Sequence, residues 1–229
     1  MRRRRYEIGE WAAIQRGARR RERAVESFGN AAEAIGPIVP GMAVFAITRG
    51  QWSMIDAVLY CVDSLGEGCS LSVWTWTVAD YEIEAMNGLM RRGDLAVATL
   101  LIDMSCDRRR PELMREWRRI FGGDSVKVCR SHAKIARVWK GGVRLLLRGS
   151  MNLNFNPRYE QFDLTEGGED FELVERIEGE MPVLGAGYSF ADVKAAGKLG
   201  RAFAEDVLDS FGALSALDDW EIGGMGDGG

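Results

Sequence analysis

Between residues 42 and 121, short apolar runs alternate with amphipathic segments, and this alternation constrains the fold more than any other feature of the sequence. The apolar runs have the length of buried strands and are rich in β-branched and aromatic residues. They are 42–48, 70–78 and 95–102. The amphipathic segments repeat apolar residues at helical spacing. They are 51–65, 80–91 and 111–121. Strands that alternate with helices predict an α/β fold.

After residue 121 the pattern changes, because strand-like segments follow one another without intervening helices. These segments are 125–130, 132–139 and 143–147, and the Gly141–Gly142 pair marks a turn between the last two. A helix is then predicted over 169–180. Alternation followed by successive strands predicts an α/β sandwich, with a mixed β-sheet flanked by helices.

Both ends of the chain differ in composition from the middle. Residues 1–36 place apolar residues near helical spacing between arginine-rich stretches, which predicts a basic helical arm that ends at a Gly-Pro pair. Either a solvated helix or a nucleic-acid-binding arm would have this composition. The main domain is predicted to span 42–182. Residues 183–229 predict an acidic C-terminal helix and a disordered glycine-rich tail.

The net charge of −4 is unevenly distributed along the chain. Residues 1–150 carry 25 Lys and Arg against 17 Asp and Glu, whereas residues 151–229 carry 5 against 17. A polyanionic partner would therefore meet the first two-thirds of the chain and be repelled by the last third.

No apolar run reaches the length of about 18 residues that a membrane span needs, so we expect no membrane partner. The basic N-terminus is followed at once by Glu7 and Glu10, which is unlike the apolar centre of a signal peptide. The four cysteines show no Cys-x-x-Cys spacing, which favours reduced thiols and a cytoplasmic setting over a zinc site.

Residues suited to phosphate chemistry follow one another from position 132 onward. The only histidine, His132, is followed by Lys134, and the two would share one face of a strand. Ser150 and Asn152 come next, in a small-residue loop, and Glu160 follows. A histidine can attack phosphorus or donate a proton near neutral pH. A lysine and an asparagine can hold phosphoryl oxygens, and a carboxylate can orient an imidazole. The series predicts a phosphate-handling site.

The pattern His-x-Lys, then Gly-Ser-x-Asn, then a trailing Glu resembles the phospholipase D superfamily. The resemblance implies that residues 42–166 form one half-domain of its sandwich fold. It also implies that His132 forms a covalent phosphohistidine, or acts as the acid in a second subunit. Lys134 and Asn152 would bind phosphate, Ser150 would support the phosphate or the loop, and Glu160 would orient His132. No metal or other cofactor is implied.

The resemblance also bears on oligomeric state, because the superfamily's active site takes two His-Lys motifs. With a single histidine, the chain would have to form a symmetric homodimer that shares one site on its axis. Trp139 stands where the superfamily usually has an aspartate, and the tyrosyl-DNA phosphodiesterases of the same superfamily also lack that residue. Segments 48–56 and 74–77 are similar to bacteriophage-encoded members, so the setting would be a bacterial or phage-infected cytoplasm.

Other residues near this series could contact substrate. They are Arg148, Asn154, Arg158 and Arg49, the last at a strand end that leads into a helix, where anions bind well. Arg137, Arg148 and Arg158 could be a phosphate track or unrelated surface residues. Trp74 and Trp76 share a strand face and could form core or stack on bases.

Three functions fit the sequence. The first is a metal-independent nuclease-like phosphodiesterase that acts on nucleic acid, for which we favour DNA over RNA. The second is a nucleic-acid-binding protein with the same fold and weak or no turnover, which the tryptophan at 139 would favour. The third is a lipid phosphodiesterase, which lacks a convincing amphipathic membrane helix to support it.

Overall fold

Nine strands form one mixed sheet in the part of the chain that the computed structural model describes, namely residues 11–13, 25–27, 30–154 and 156–181. The strands are β1 Trp11–Ala13, β2 Val25–Ser27, β3 Ala43–Arg49, β4 Cys69–Thr75, β5 Leu95–Asp103, β6 Val126–Cys129, β7 Ile135–Lys140, β8 Val143–Gly149 and β9 Tyr159–Glu166. Their order across the sheet is β2-β1-β3-β9-β8-β7-β4-β5-β6. Strand β5 is parallel to β4 and β6, and the other neighbours are antiparallel. The predicted α/β fold with a mixed sheet is confirmed.

Six helices accompany the sheet among the described residues. They are α1 Ala31–Ile35, α2 Met54–Leu65, α3 Asp80–Arg92, α4 Met104–Arg109, α5 Pro111–Phe121 and α6 Glu169–Glu180. Local capping explains several of their limits. Asp56 Oδ2 accepts a hydrogen bond of 2.7 Å from the Ser53 backbone N–H where α2 begins. Helix α3 ends at Gly93, whose φ of 83° lies in the left-handed region. Short α4 was not predicted.

The predicted helical arm over 1–36 is wrong for six of its residues, because β1 and β2 are strands. They pair with each other, and Ala13 pairs with Ala46 of β3. This pairing gives the outer edge of β3 a neighbouring strand. Helical spacing of apolar residues alone stabilises a helix only weakly, so the sheet pairing prevails in these residues. Helix α1 covers only the end of the predicted arm. The rest of the arm and the predictions for 183–229 lie outside the described residues.

Helix α6 is held on the sheet by an apolar cluster around a buried ion pair. Phe171 and Val174 of α6 pack with sheet residues that include Trp74. Arg137 on β7 is only 3% exposed, and its guanidinium lies 3.1 Å from Glu178 Oε2. Glu178 also accepts hydrogen bonds from Ser72 Oγ and from Trp74 Nε1. The Arg137 side chain therefore anchors α6 and is not part of a phosphate track.

Candidate active site

One edge of the sheet gathers the carboxyl ends of five strands and the amino ends of two. The strand directions place the ends of β3, β4, β5, β6 and β8 beside the starts of β7 and β9. Thr48 is paired with Glu160 across β3 and β9, although 112 positions separate them. Each strand contributes one or two polar residues here, so residues that are remote in sequence become neighbours.

His132 and Lys134 lie in the link between β6 and β7, so the prediction that both belong to a strand is wrong. The Ser131 N–H donates to Asp103 Oδ2 at 3.2 Å, and the Ala133 N–H donates to Ser131 Oγ at 3.1 Å. These local bonds take the place of sheet pairing before Ile135. Strand β7 therefore begins after Lys134, and the two side chains are free of the alternation that a strand would impose.

The Lys134 ammonium nevertheless contacts the His132 ring directly. Lys134 Nζ lies 2.9 Å from Nδ1 and 3.2 Å from Nε2 of His132, and it donates to the His132 carbonyl oxygen at 2.7 Å. His132 is exposed, whereas Lys134 is only 8% exposed. The arrangement presents an accessible imidazole next to a largely buried positive charge, which suits an anion held against a nucleophile.

Burial lowers the pKa of Lys134, and the negative charge of Glu160 opposes this shift. Replacing Glu160 with glutamine is therefore expected to lower the pKa of Lys134 further. Because the site needs the ammonium form, binding of a phosphodiester should fail at lower pH in Glu160→Gln than in the wild type. Titration of substrate affinity from neutral to alkaline pH measures this, with Glu169→Gln on exposed α6 surface as the control. An unchanged alkaline midpoint would contradict it.

Ser150 and Glu160 meet where β8 ends and β9 begins. Ser150 Oγ donates to Glu160 Oε2, and the Gln161 N–H donates to Ser150 Oγ at 2.9 Å. Asn156 Nδ2 donates to Glu160 Oε1 at 2.7 Å. The hydrogen bonds that the structure gives to Glu160 thus fix the Ser150 loop and do not reach His132. The expected Glu160–His132 contact is not made within this chain.

Gly149 allows Ser150 to reach β9. A methyl group on Gly149 would lie 2.0 Å from the carbonyl oxygen of Gln161, far inside any contact distance. Gly149→Ala is therefore expected to push β8 away from β9 and to lower the free energy of unfolding by about 1–3 kcal/mol or more. Urea unfolding measures this. Gly142→Ala is the matched control, because a methyl group there meets no atom within 4 Å. Equal unfolding midpoints for the two variants would contradict the expectation.

Asn152 and Asn154 lie in the loop after β8, and their half-buried side chains share an unusual property. The amide oxygen of each is buried and has no hydrogen-bond partner among the described residues. Between them, Leu153 is buried and its N–H donates to Thr75 Oγ1 at 3.2 Å, which ties the loop to the end of β4. Buried polar atoms are normally paired, and these two amide oxygens could each accept a hydrogen bond from a donor outside the chain.

The predicted substrate-binding arginines lie in different surroundings. Arg148 forms an ion pair of 2.6 Å with Asp170 at the start of α6, so its charge is already neutralised. Arg49 is exposed beside Tyr159, with Cζ 5.6 Å from the ring centroid. Arg158 is exposed just before Tyr159. Of the three, Arg49 and Arg158 are the ones that are exposed to solvent.

Trp139 lies away from the site that its sequence position suggests. It follows the start of β7 by four residues, or about 13 Å along the strand. Its ring packs on Phe171, with centroids 6.2 Å apart, in the cluster under α6. The nearby carboxylates of Glu166 and Asp163 both have hydrogen-bond partners. Glu166 accepts from the Gly41 N–H at 2.7 Å, and Asp163 accepts from Gln161 Nε2.

The sequence did not predict that Trp76 lies beside His132, or that Arg109 lies beside Trp76. The Trp76 ring centroid lies 5.8 Å from that of His132, and Arg109 Cζ lies 5.4 Å from the Trp76 ring. Trp74 is core, with 6% exposure, whereas Trp76 is 36% exposed because it follows the end of β4. The strand end was the signal that could have separated the two tryptophans.

Clustered metal ligands and membrane-spanning helices are both absent from the described residues. No group of three or more His, Cys, Asp or Glu side chains there could hold a metal ion. None of the helices in the same part of the chain is long and apolar enough to cross a membrane.

Comparison with known proteins gives likenesses to solved structures and none to known sequences. No protein-family description matches the chain, and no curated protein sequence matches it. The structure is similar to the crystal structure of phosphatidylserine synthase from Haemophilus influenzae Rd KW20, with 13% sequence identity and a TM-score of 0.43. The match covers 84% of this chain and 51% of the synthase chain, so this chain spans about half the length of the synthase.

Proposed function

We propose that this chain is a metal-independent phosphodiesterase of the phospholipase D-like type, and that it cleaves nucleic acid through a phosphohistidine. The observation that carries the proposal is the contact between the Lys134 ammonium and the ring of exposed His132. The Ser150–Glu160 pair and the side chains of Asn152 and Asn154, whose buried amide oxygens have no partner among the described residues, lie at the same edge of the sheet. We place the activity in the cytoplasm of a bacterial or phage-infected cell.

The proposed reaction has two displacements. In the first, an unprotonated ring nitrogen of His132 attacks phosphorus, the N–P bond forms, and the P–O bond to the leaving strand breaks. The leaving oxygen takes a proton from a general acid. In the second, water attacks phosphorus, the N–P bond breaks, and the water proton returns to the acid group. Lys134 stabilises the negative charge on the phosphoryl oxygens in both steps.

The general acid is proposed to come from a second copy of the chain. His132 is the only histidine in the sequence, and a single imidazole cannot be nucleophile and acid in the same displacement. An exposed His132 at the edge of the sheet could face its counterpart across a twofold axis. The shared site would also bring in a second Glu160, whose carboxylate could contact His132 from the partner.

The test is cleavage of labelled oligonucleotides and plasmid DNA in the presence of EDTA. The wild type should cleave, and a rapid acid quench should trap a phosphoramidate on His132, identified by mass spectrometry of the labelled peptide. His132→Ala should neither cleave nor be labelled. Absence of cleavage by the wild type, or equal cleavage by His132→Ala, would contradict the proposal. Phospholipid micelles in the same assay test the lipid alternative.

A second candidate is a nucleic-acid-binding protein without turnover. It is favoured by one observation, namely that Glu160 bonds with Ser150 and Asn156 within the chain. In that case the logarithm of the association constant should fall linearly with the logarithm of the salt concentration, and no cleavage should occur. Lys134→Ala should weaken binding, and no phosphohistidine should be trapped.

A further inference from the structure

Exposed aromatic side chains border the candidate site on two sides. Trp76 is 36% exposed and lies against the His132 ring. Tyr159 is 56% exposed and directly precedes Glu160 in β9. Exposed tryptophan and tyrosine rings offer flat faces on which nucleic-acid bases can stack.

Each of these rings has an arginine beside it. Arg109 Cζ lies 5.4 Å from the Trp76 ring, and Arg49 Cζ lies 5.6 Å from the Tyr159 ring. Arg49 and Tyr159 are also partners in the pairing of β3 with β9. The same combination of a flat apolar surface and a positive charge therefore occurs twice, once on each side of the site.

The spacing of the two aromatic–arginine pairs follows from the sheet. Tyr159 is at the start of β9, and Trp76 follows the end of β4, which is three strands away in the order β9-β8-β7-β4. Three strand spacings amount to about 14 Å. This distance corresponds to about four nucleotides at the 3.4 Å rise of a stacked strand, and to fewer in an extended one.

We propose that this sheet edge binds single-stranded nucleic acid, with bases on either side of the scissile phosphate stacked on Trp76 and Tyr159. Arg109 and Arg49 would hold the flanking phosphates. The inference rests on the proposed function and names its substrate class. Single strands fit because base faces in a duplex are already covered by their neighbours. A lipid surface fits less well, since Arg109 and Arg49 over the two rings would be drawn into an apolar phase.

The test compares three ligands of equal length: a single-stranded oligonucleotide, the same strand as a duplex, and a strand with abasic units that keeps the phosphates. The wild type should prefer the first. Trp76→Ala and Tyr159→Ala should each weaken binding of the single strand by about 5- to 150-fold. Binding of the abasic strand should hardly change, because it offers phosphates without bases. Leu173→Ala, which removes an exposed apolar side chain from α6, is the control for both ligands.

Equal affinity for the base-containing and abasic strands would overturn the inference, as would equal losses for both in the two variants. Co-sedimentation with vesicles of equal parts phosphatidylcholine and phosphatidylglycerol is the second arm. Vesicle binding that depends on Trp76, without a preference for the single strand, would point to a lipid surface instead. Binding is measured at equilibrium with gel analysis of strand integrity, so failure of cleavage, which would refute the proposed function, is distinguishable from failure of base recognition.

Discussion

Replacement of His132 by alanine is expected to lower the rate of phosphodiester cleavage by about 10⁴-fold or more, while substrate affinity changes little. The variant loses the nitrogen that attacks phosphorus, and no other histidine in the chain can replace it. Lys134 remains in place to bind the phosphate, because its backbone carbonyl still accepts from the Gly149 N–H at 3.2 Å. Single-turnover rates and separately measured affinities check the two halves of this expectation.

A mixing experiment sharpens this result. If one site needs His132 from both copies of the chain, an equal mixture of wild type and His132→Ala should have about one quarter of the wild-type activity per amount of total protein, the share of dimers with two intact chains. Independent sites would retain about one half by the same reasoning. The subunits must first be exchanged by mild denaturation and refolding. Half of the wild-type activity per amount of total protein would mean that each chain works independently, and would contradict the shared site.

The second large effect concerns stability. Arg137→Met is expected to lower the free energy of unfolding by about 3–5 kcal/mol, because it leaves the Glu178 carboxylate buried and without its cation. Arg137 also lies between two rings, with Cζ 4.8 Å from Trp139 and 5.0 Å from Phe171. The loss is large against the roughly 5–15 kcal/mol that stabilises a typical domain. Denaturant unfolding followed by circular dichroism measures it.

Arg144→Met is the matched control, because Arg144 also links the sheet to α6. Its ion pair with Glu172, at 3.0 Å, is exposed on both sides and should contribute no more than about 1 kcal/mol. A double variant, Arg137→Met with Glu178→Leu, should recover part of the loss, since both buried charges are then gone. If Arg137→Met costs no more than Arg144→Met, the buried ion pair does not anchor α6.

Sequence patterns located the elements whose signals are local. The run 95–102 is apolar except for Thr99, and its residues Leu95, Ala98 and 100–102 are buried in β5. Helix α5 has the predicted bounds because Pro111 and Gly122 delimit it. Strand β9 was missed. Its residues alternate with Gln161 and Asp163, and its place between β3 and β8 depends on partners far away in sequence. The alternation is typical of a strand, but it does not indicate which strands β9 pairs with.

The candidate site was predicted in composition but not in geometry. Lys134 was expected beside His132, and it is, although through a loop and not along a strand. Glu160 was expected on the imidazole, and instead it fixes Ser150. The difference arises because two other hydrogen bonds decide these positions. Asp103 accepts one from the Ser131 N–H, and Asn156 donates one to Glu160. Neither Asp103 nor Asn156 belongs to the recognised pattern. Trp76 and Arg109 were missed as neighbours of His132 for the related reason that three separate strand ends bring them together.

The place of β9 between β3 and β8 has a consequence for synthesis of the chain. Strand β3 is complete at Arg49, but β9 ends only at Glu166. At 5–20 residues per second, a ribosome needs about 6–23 s to make the intervening stretch. Throughout that interval the edge of β3 that will receive β9 has no partner from this sheet and is open to pairing with other chains. The Tyr159 border of the candidate site therefore forms late, so the candidate site is incomplete until almost the whole domain has been synthesised.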